Sequence, residues 1–113
     1  MHSIDTAKVF DELWLLITNN LNKTLSLRDE INYKNDGSPV TKADLWHEKI
    51  ISEFLESKFT NINIISEESY NGELIPEKGW IAILDPIDGT ENFASGMKEW
   101  GVAISIWKDT IHF

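Results

Sequence analysis

The residues Trp80-Ile81-Ala82-Ile83-Leu84 form a continuous apolar run that stops abruptly at Asp85-Pro86. An unbroken run of this kind, with no polar alternation, suits a strand buried on both faces. Such a strand constrains everything around it, because its backbone needs neighbouring strands and its side chains need covering layers. Gly101-Val102-Ala103-Ile104-Ser105-Ile106-Trp107 reads as a second buried strand, and Asn61-Ile62-Asn63-Ile64-Ile65 as a shorter, β-branched third. Ile111-His112-Phe113 looks like the start of a further strand, after a turn at Lys108-Asp109.

The covering layers come from the first half of the chain. Ala7, Phe10, Leu13, Trp14, Ile17 and Leu21 recur near the helical period, with Ser3 or Asp5 as candidate caps. The stripe containing Phe10 and Trp14 is expected in the core. Residues 26–40 are polar and irregular, and Asn35-Asp36-Gly37-Ser38-Pro39 signals a turn. Thr41 and Asp44 have capping-box spacing ahead of a second helix running to about Lys58, with Ala43, Trp46, Ile50, Phe54 and Leu55 on its apolar side. Residues 69–79 carry Asn-Gly and Pro and read as a loop or hairpin. The order of helices followed by strands predicts a layered α/β fold, and 113 residues are enough for one domain but too few for two.

The net charge of −9 disfavours nucleic acid and anionic membranes as partners. A phosphorylated small molecule would be repelled too, unless bound cations invert the local charge. There is no cysteine, so disulfides and thiolate metal sites are excluded. No apolar run approaches membrane-spanning length and no signal-peptide pattern opens the chain, so a cytoplasmic protein is expected.

The chemistry concentrates where the apolar run ends. Asp85 and Asp88 flank Pro86 at a strand end, the place where α/β folds put their sites. Gly89 permits a tight path or close ligand approach, and Thr90 can open a helix whose free N–H groups attract phosphate. Hard carboxylate oxygens suit Mg²⁺, which keeps waters and takes substrate phosphate as further ligands. The same residue types also make ordinary surface turns. Glu67-Glu68 closes another strand, and Asp44 stands at a helix start. Each has a bland reading alone, as a solvated strand end and a capping acid.

The stretch Trp80-Ile81-Ala82-Ile83-Leu84-Asp85-Pro86-Ile87-Asp88-Gly89-Thr90-Glu91-Asn92-Phe93 resembles the signature of the inositol monophosphatase family, within the lithium-sensitive, Mg²⁺-dependent phosphatases. Lys34, Ser38-Pro39-Val40-Thr41-Lys42-Ala43-Asp44 and Ile65-Ser66-Glu67-Glu68-Ser69 match further family stretches in the same order. The resemblance covers roughly residues 4–113. It implies the sugar-phosphatase-like αβαβα fold, here its N-terminal half with two helices and the start of a mainly antiparallel sheet.

The resemblance also implies roles. Glu67, Asp85 and the Ile87 carbonyl would hold a first Mg²⁺. Asp85 and Asp88 would hold a second, and Glu67 would reach a third, with Asp44 near it through water. Thr90 would orient the attacking water and Glu67 would help take its proton. Backbone groups at Asp88, Gly89 and Thr90 would hold phosphate, Lys34 would lie in a flexible loop near the metals, and Glu68 would support rather than ligate. His2, His47 and His112 match no family ligand, and His47 is expected at a surface or interface. The implied reaction is hydrolysis of an inositol monophosphate or related sugar phosphate, with fructose 1,6-bisphosphate and 3′-phosphoadenosine 5′-phosphate as alternatives. A homodimer is the family's usual assembly.

The family's second half, with its W-D-x-A-type motif and a further metal-binding Asp, does not follow Phe113, and Asp109 sits in an expected turn. An N-terminal portion is therefore expected, either catalytic in its full context or a non-catalytic Mg²⁺- and phosphate-binding module. Its last strand, Val102–Trp107, would present an exposed apolar edge.

Overall fold

A computed structural model describes residues 4–113. His2 and the alternative cap Ser3 lie outside the described residues.

Helix α1 spans Thr6–Asn19, and Asp5 caps it by accepting from the Lys8 N–H at 3.1 Å. It ends two residues before Leu21. Asn20 leaves the helical conformation and its side chain donates to the Leu16 carbonyl, and a short helix α2 (Leu21–Ser26) then begins. Trp14 is 66% exposed rather than in the core. The helix faces inward along Val9 and Leu13, with Phe10 and Ile17 at one flank. Trp14 lies about 100° beyond Leu13 on the helical wheel, past that flank.

The polar stretch expected to be irregular contains an antiparallel hairpin, β1 (Ile31–Tyr33) with β2 (Pro39–Thr41), pairing Ile31 with Thr41. Asp36 organises its turn by accepting from the Ser38 N–H at 2.9 Å. Strands this short, with polar and half-exposed side chains, leave no alternation to read. Helix α3 (Lys42–Lys58) follows at once. Its capping box is complete: Thr41 and Asp44 each take the other's backbone N–H, at 2.8 Å to Asp44 Oδ2 and 3.3 Å to Thr41 Oγ1.

The main sheet has the order β3 (Asn63–Ser66), β4 (Trp80–Asp88), β5 (Gly101–Lys108), β6 (Ile111–His112). β3 and β4 are parallel, and the other pairings are antiparallel. A short helix α4 (Thr90–Ala94) joins β4 to the approach of β5. Helices α1 and α3 cover one face, where Val9, Leu13, Ile51, Leu55, Phe59, Ala82, Leu84 and Ile106 form the core.

Two expectations about the strands are corrected. The apolar run of β4 is not buried on both faces: Ile83 is 42% exposed, because no second layer covers that side among the described residues. In β5 only Ile106 is buried outright, for the same reason. Nor does β4 stop at Leu84; it continues through Pro86 to Asp88, with its register to β5 shifting between Asp85 and Asp88. The apolar edge of β5 is partly paired. β6 takes Trp107 and Lys108, while residues 101–105 have no outer partner among the described residues.

Candidate active site

The ladder of β3 and β4 sets the first contact. Ser66 pairs with Leu84, and the Glu67 N–H donates to the Leu84 carbonyl at 3.0 Å, which brings Glu67 beside Asp85. Because the two strands are parallel, both carboxylates stand at the same end of the sheet. The irregularity in β4 then turns Asp88 and Gly89 toward the same space.

Gly89 makes the corner at φ 86°, and a Cβ there would meet the Glu99 carbonyl oxygen at 2.9 Å. Only glycine tolerates both conditions. Asn92 fixes that wall by donating to the same Glu99 carbonyl at 3.0 Å. α4 follows directly, presenting the unpaired N–H groups of its first turn.

Asp44 and Thr90 close the floor. Thr90 Oγ1 lies 2.9 Å from Asp44 Oδ1 and 2.9 Å from the Ile87 carbonyl, so its one proton can serve either acceptor. Asp44 is fully buried, and its other oxygen is held by the Thr41 N–H at 2.8 Å and the Thr41 hydroxyl at 2.6 Å. The capping acid and the site acid are one residue.

From the other side the β1–β2 hairpin brings Lys34 to 3.6 Å from Glu67 and 3.3 Å from Glu68. Partial burial pulls the Lys34 ammonium down, but Glu68 and then Glu67 outweigh it and leave its pKa raised. Burial pushes the Glu68 carboxyl up against the opposing pull of Lys34, with Asp44 and Glu67 adding repulsion. Asp85 is pushed furthest, up to about 7, by burial first, then by the adjacent Glu67 carboxylate and by repulsion from Asp88 and Glu68.

These residues enclose an open cleft of about 290 Å³, lined by Lys34, Glu67, Asp85, Ile87, Asp88, Gly89 and Thr90 together with Ser38, Pro39, Glu91 and Asn92. Lys34, Glu67, Asp85, Ile87, Asp88, Gly89 and Thr90, all singled out in the sequence, line this cleft; Asp44 lies under it, and Glu68 stands off it, paired with Lys34. The inositol monophosphatase family model matches residues 4–111. The chain belongs to the inositol monophosphatase family.

Family relatives differ in what they are named for. The 3′(2′),5′-bisphosphate nucleotidase CysQ of Haemophilus influenzae is 32% identical over 78 residues, 67% of this chain and 29% of that protein. The inositol-1-monophosphatase of Bacillus subtilis is 27% identical over 93 residues, 82% of this chain and 34% of that protein. The crystal structure of the extragenic suppressor protein SuhB from Bartonella henselae superposes with a TM-score of 0.78 at 25% identity, covering 95% of this chain and 42% of that one. The chain thus spans well under half the length of these relatives, and the layered α/β fold with its mainly antiparallel sheet is the family's.

Divalent metal fits the donor set. Asp85 Oδ1 is buried without a hydrogen-bond partner, and three like charges crowd the same carboxyl. A hard cation would satisfy the orphaned oxygen and cancel the repulsion. Among the described residues no three Asp, Glu or His side chains form a preformed metal cage. Mg²⁺ asks less than that, since waters and substrate oxygens complete its shell.

One residue escaped the sequence reading. His47 is fully buried, not at a surface, and its ring bridges Thr24 and the Pro86 carbonyl. No spacing in the sequence signals this, because both partners are distant in the chain.

Proposed function

We propose that this chain forms the metal- and phosphate-binding portion of a Mg²⁺-dependent phosphoric monoester hydrolase. The observation that carries the reading is the Asp44–Thr90 contact at 2.9 Å beside the crowded Glu67, Asp85 and Asp88 carboxylates. It joins a hydroxyl with a buried acceptor to a site that calls for cations.

In this reading Glu67, Asp85, the Ile87 carbonyl and Asp88 hold two to three Mg²⁺. When bound, the ions lower the pKa of water and neutralise the phosphate oxygens. The chain's own residues do the rest. Thr90, its hydroxyl directed to Asp44, accepts from the attacking water and orients it. Glu67 helps take the released proton, with Asp44 the acceptor behind the Thr90 hydroxyl. Backbone N–H groups at Gly89 and Thr90 receive phosphate oxygens at the start of α4. Lys34 holds Glu67 and Glu68 in place from the hairpin. With the Thr90 proton directed to Asp44, the Ile87 carbonyl keeps its lone pairs for a cation.

An inositol monophosphate or related sugar phosphate is the substrate class proposed, with fructose 1,6-bisphosphate and 3′-phosphoadenosine 5′-phosphate as alternatives, the last in line with the nucleotidase relative. A cytoplasmic homodimer is the proposed setting. No helix among the described residues is long and apolar enough to cross a membrane.

A second reading, a module that binds Mg²⁺ and phosphate without turnover, is favoured by the lack, among the described residues, of a preformed three-carboxylate group. One experiment separates the two. Phosphate release from inositol 1-phosphate and 3′-phosphoadenosine 5′-phosphate is followed with Mg²⁺, with and without lithium, for the wild type and Asp88→Asn. Mg²⁺-dependent release lost in Asp88→Asn supports the hydrolase. Mg²⁺ binding by calorimetry with no release above the Asp88→Asn level refutes it in favour of the binding module.

A further inference from the structure

We propose that His47 is a positioning residue for the Asp85–Asp88 segment, holding the Pro86 carbonyl so that the carboxylates on either side converge. The inference rests on the metal-binding role proposed above for that segment.

The local problem is backbone bonding. Pro86 and Ile87 fall where the register of β4 shifts, and neither has a partner on β5 or β3. Pro86 has no N–H, and its carbonyl lies in a buried stretch where an unpaired acceptor is costly. His47 Nδ1 stands 2.9 Å from that carbonyl, across 39 residues of sequence. The next carbonyl, Ile87, lies 2.9 Å from Thr90 Oγ1, whose one proton can go to it or to Asp44 Oδ1, also at 2.9 Å. Asp44 and His47 lie one turn apart on α3, so one helix face holds the Pro86 carbonyl and the Thr90 hydroxyl just beyond the irregular segment.

Proton counting fixes the ring. The Pro86 carbonyl can only accept, so Nδ1 carries the hydrogen and donates. The Thr24 hydroxyl has one proton and two acceptors near it, the Asn20 carbonyl at 3.0 Å and His47 Nε2 at 2.8 Å. In the neutral ring Nε2 accepts from Thr24, and burial pushes the imidazole pKa below its ordinary value, favouring that form. Thr24, on α2, is itself fully buried. A relay therefore runs from α2 through α3 to the middle of the metal-binding segment. It has the form of an outer partner that orients a ligand-bearing segment, as second partners of metal ligands commonly do.

The side-chain isosteres make a test. Asn at 47 places an amide N–H near the position of Nδ1 and can still donate to Pro86. Gln reaches instead toward Nε2 and Thr24, and Leu keeps only the bulk. Mn²⁺ binding by calorimetry should weaken about 10- to 100-fold in His47→Gln and His47→Leu, but no more than about threefold in His47→Asn. In metal-free protein, amide exchange at Ile87 and Asp88 should speed up in the Gln and Leu variants and not in the Asn variant. A purely structural histidine would not sort Asn from Gln.

Wild-type Mn²⁺ affinity and exchange in His47→Gln and His47→Leu overturns the proposal, as does equal loss in all three variants. If the Gln and Leu variants do not fold, Thr24→Val takes their place. It leaves Nε2 unsupported and should speed exchange at Ile87 and Asp88, and unchanged exchange there overturns the proposal. A wild type that binds no Mn²⁺ sinks the metal-site reading instead, and amide exchange alone then decides the role of His47.

Discussion

Thr90 Oγ1 sits 2.9 Å from Asp44 Oδ1, although 46 residues separate them. Asp44 is placed by its duty at the start of α3, and Thr90 by the glycine corner that ends β4. The contact therefore ties a helix cap to a strand end, and it brings a cleft-lining hydroxyl against a buried carboxylate.

If that hydroxyl orients the attacking water, Thr90→Val should lower kcat of the active enzyme by about 10²- to 10⁴-fold, the usual worth of acid–base assistance. KM should change little. Thr90→Ser, which keeps the hydroxyl, should stay within about tenfold. Steady-state kinetics on the three proteins check this, and equal loss in Val and Ser variants contradicts the role.

Asp85 is crowded by like charges and its pKa is pushed up to about 7. Its folded-state pKa is above the ordinary 3.8, so the folded form binds the proton more tightly than the unfolded chain does. The carboxyl then costs stability increasingly as pH rises from about 4 to about 7. Without divalent cations, Asp85→Asn should raise Tm, more at pH 8 than at pH 5, and Mg²⁺ should narrow the gap by stabilising the wild type alone. Thermal scans in EDTA and in Mg²⁺ at the two pH values decide the matter.

The opposite sign applies to His47. Its folded pKa is lowered from 6.5, by burial first, against the pull of the Pro86 carbonyl and Asp44. Above 6.5 the ring is neutral in both states and contributes no pH dependence. As pH falls through 6.5 the unfolded chain takes up a proton that the folded one refuses, and stability drops by at most about 1.4 kcal/mol per pH unit. Urea titrations between pH 5 and 8 should show this slope in the wild type and not in His47→Gln. The difference between the two proteins isolates it from Asp85 and Glu68, which act in the other direction.

Gly89→Ala combines a left-handed backbone with a Cβ 2.9 Å from the Glu99 carbonyl. It should cost about 1–3 kcal/mol and displace the segment ahead of α4. A lower urea midpoint with an unchanged slope is the expected result.

The elements with a clear apolar pattern were legible in the sequence: α1, α3 and its capping box, β3, the first half of β4, and β5, while the short α4 was signalled only by Gly89 and Thr90. So was the gathering of Lys34, Glu67, Asp85, Asp88 and Thr90, because the family-like stretches carry them in order. The β1–β2 hairpin was not, since three-residue polar strands have no pattern, and its pairing exists only through tertiary placement. Trp14 and Ile83 misled because hydrophobicity reports what can be buried, while the layers present decide what is. His47 was misread because a lone imidazole in a helix says nothing about its partners. Those lie on α2 and on an irregular carbonyl in β4, neither of which sequence spacing reveals.

Ile81, Ile83 and Asp85 alternate onto the same side of β4, the side that α1 and α3 leave open. Asp85 thus belongs both to the polar cleft and to an apolar hollow of about 340 Å³ that it shares with Ile65, Ile83 and Ala103. Whatever layer comes to rest on that hollow will displace water from one flank of the carboxylate. The local dielectric at the cleft would fall, and each charge there would feel its neighbours more strongly. If the cleft holds a cation as proposed, its grip would be tuned from the open face of the sheet, through whatever covers Ile65, Ile83 and Ala103.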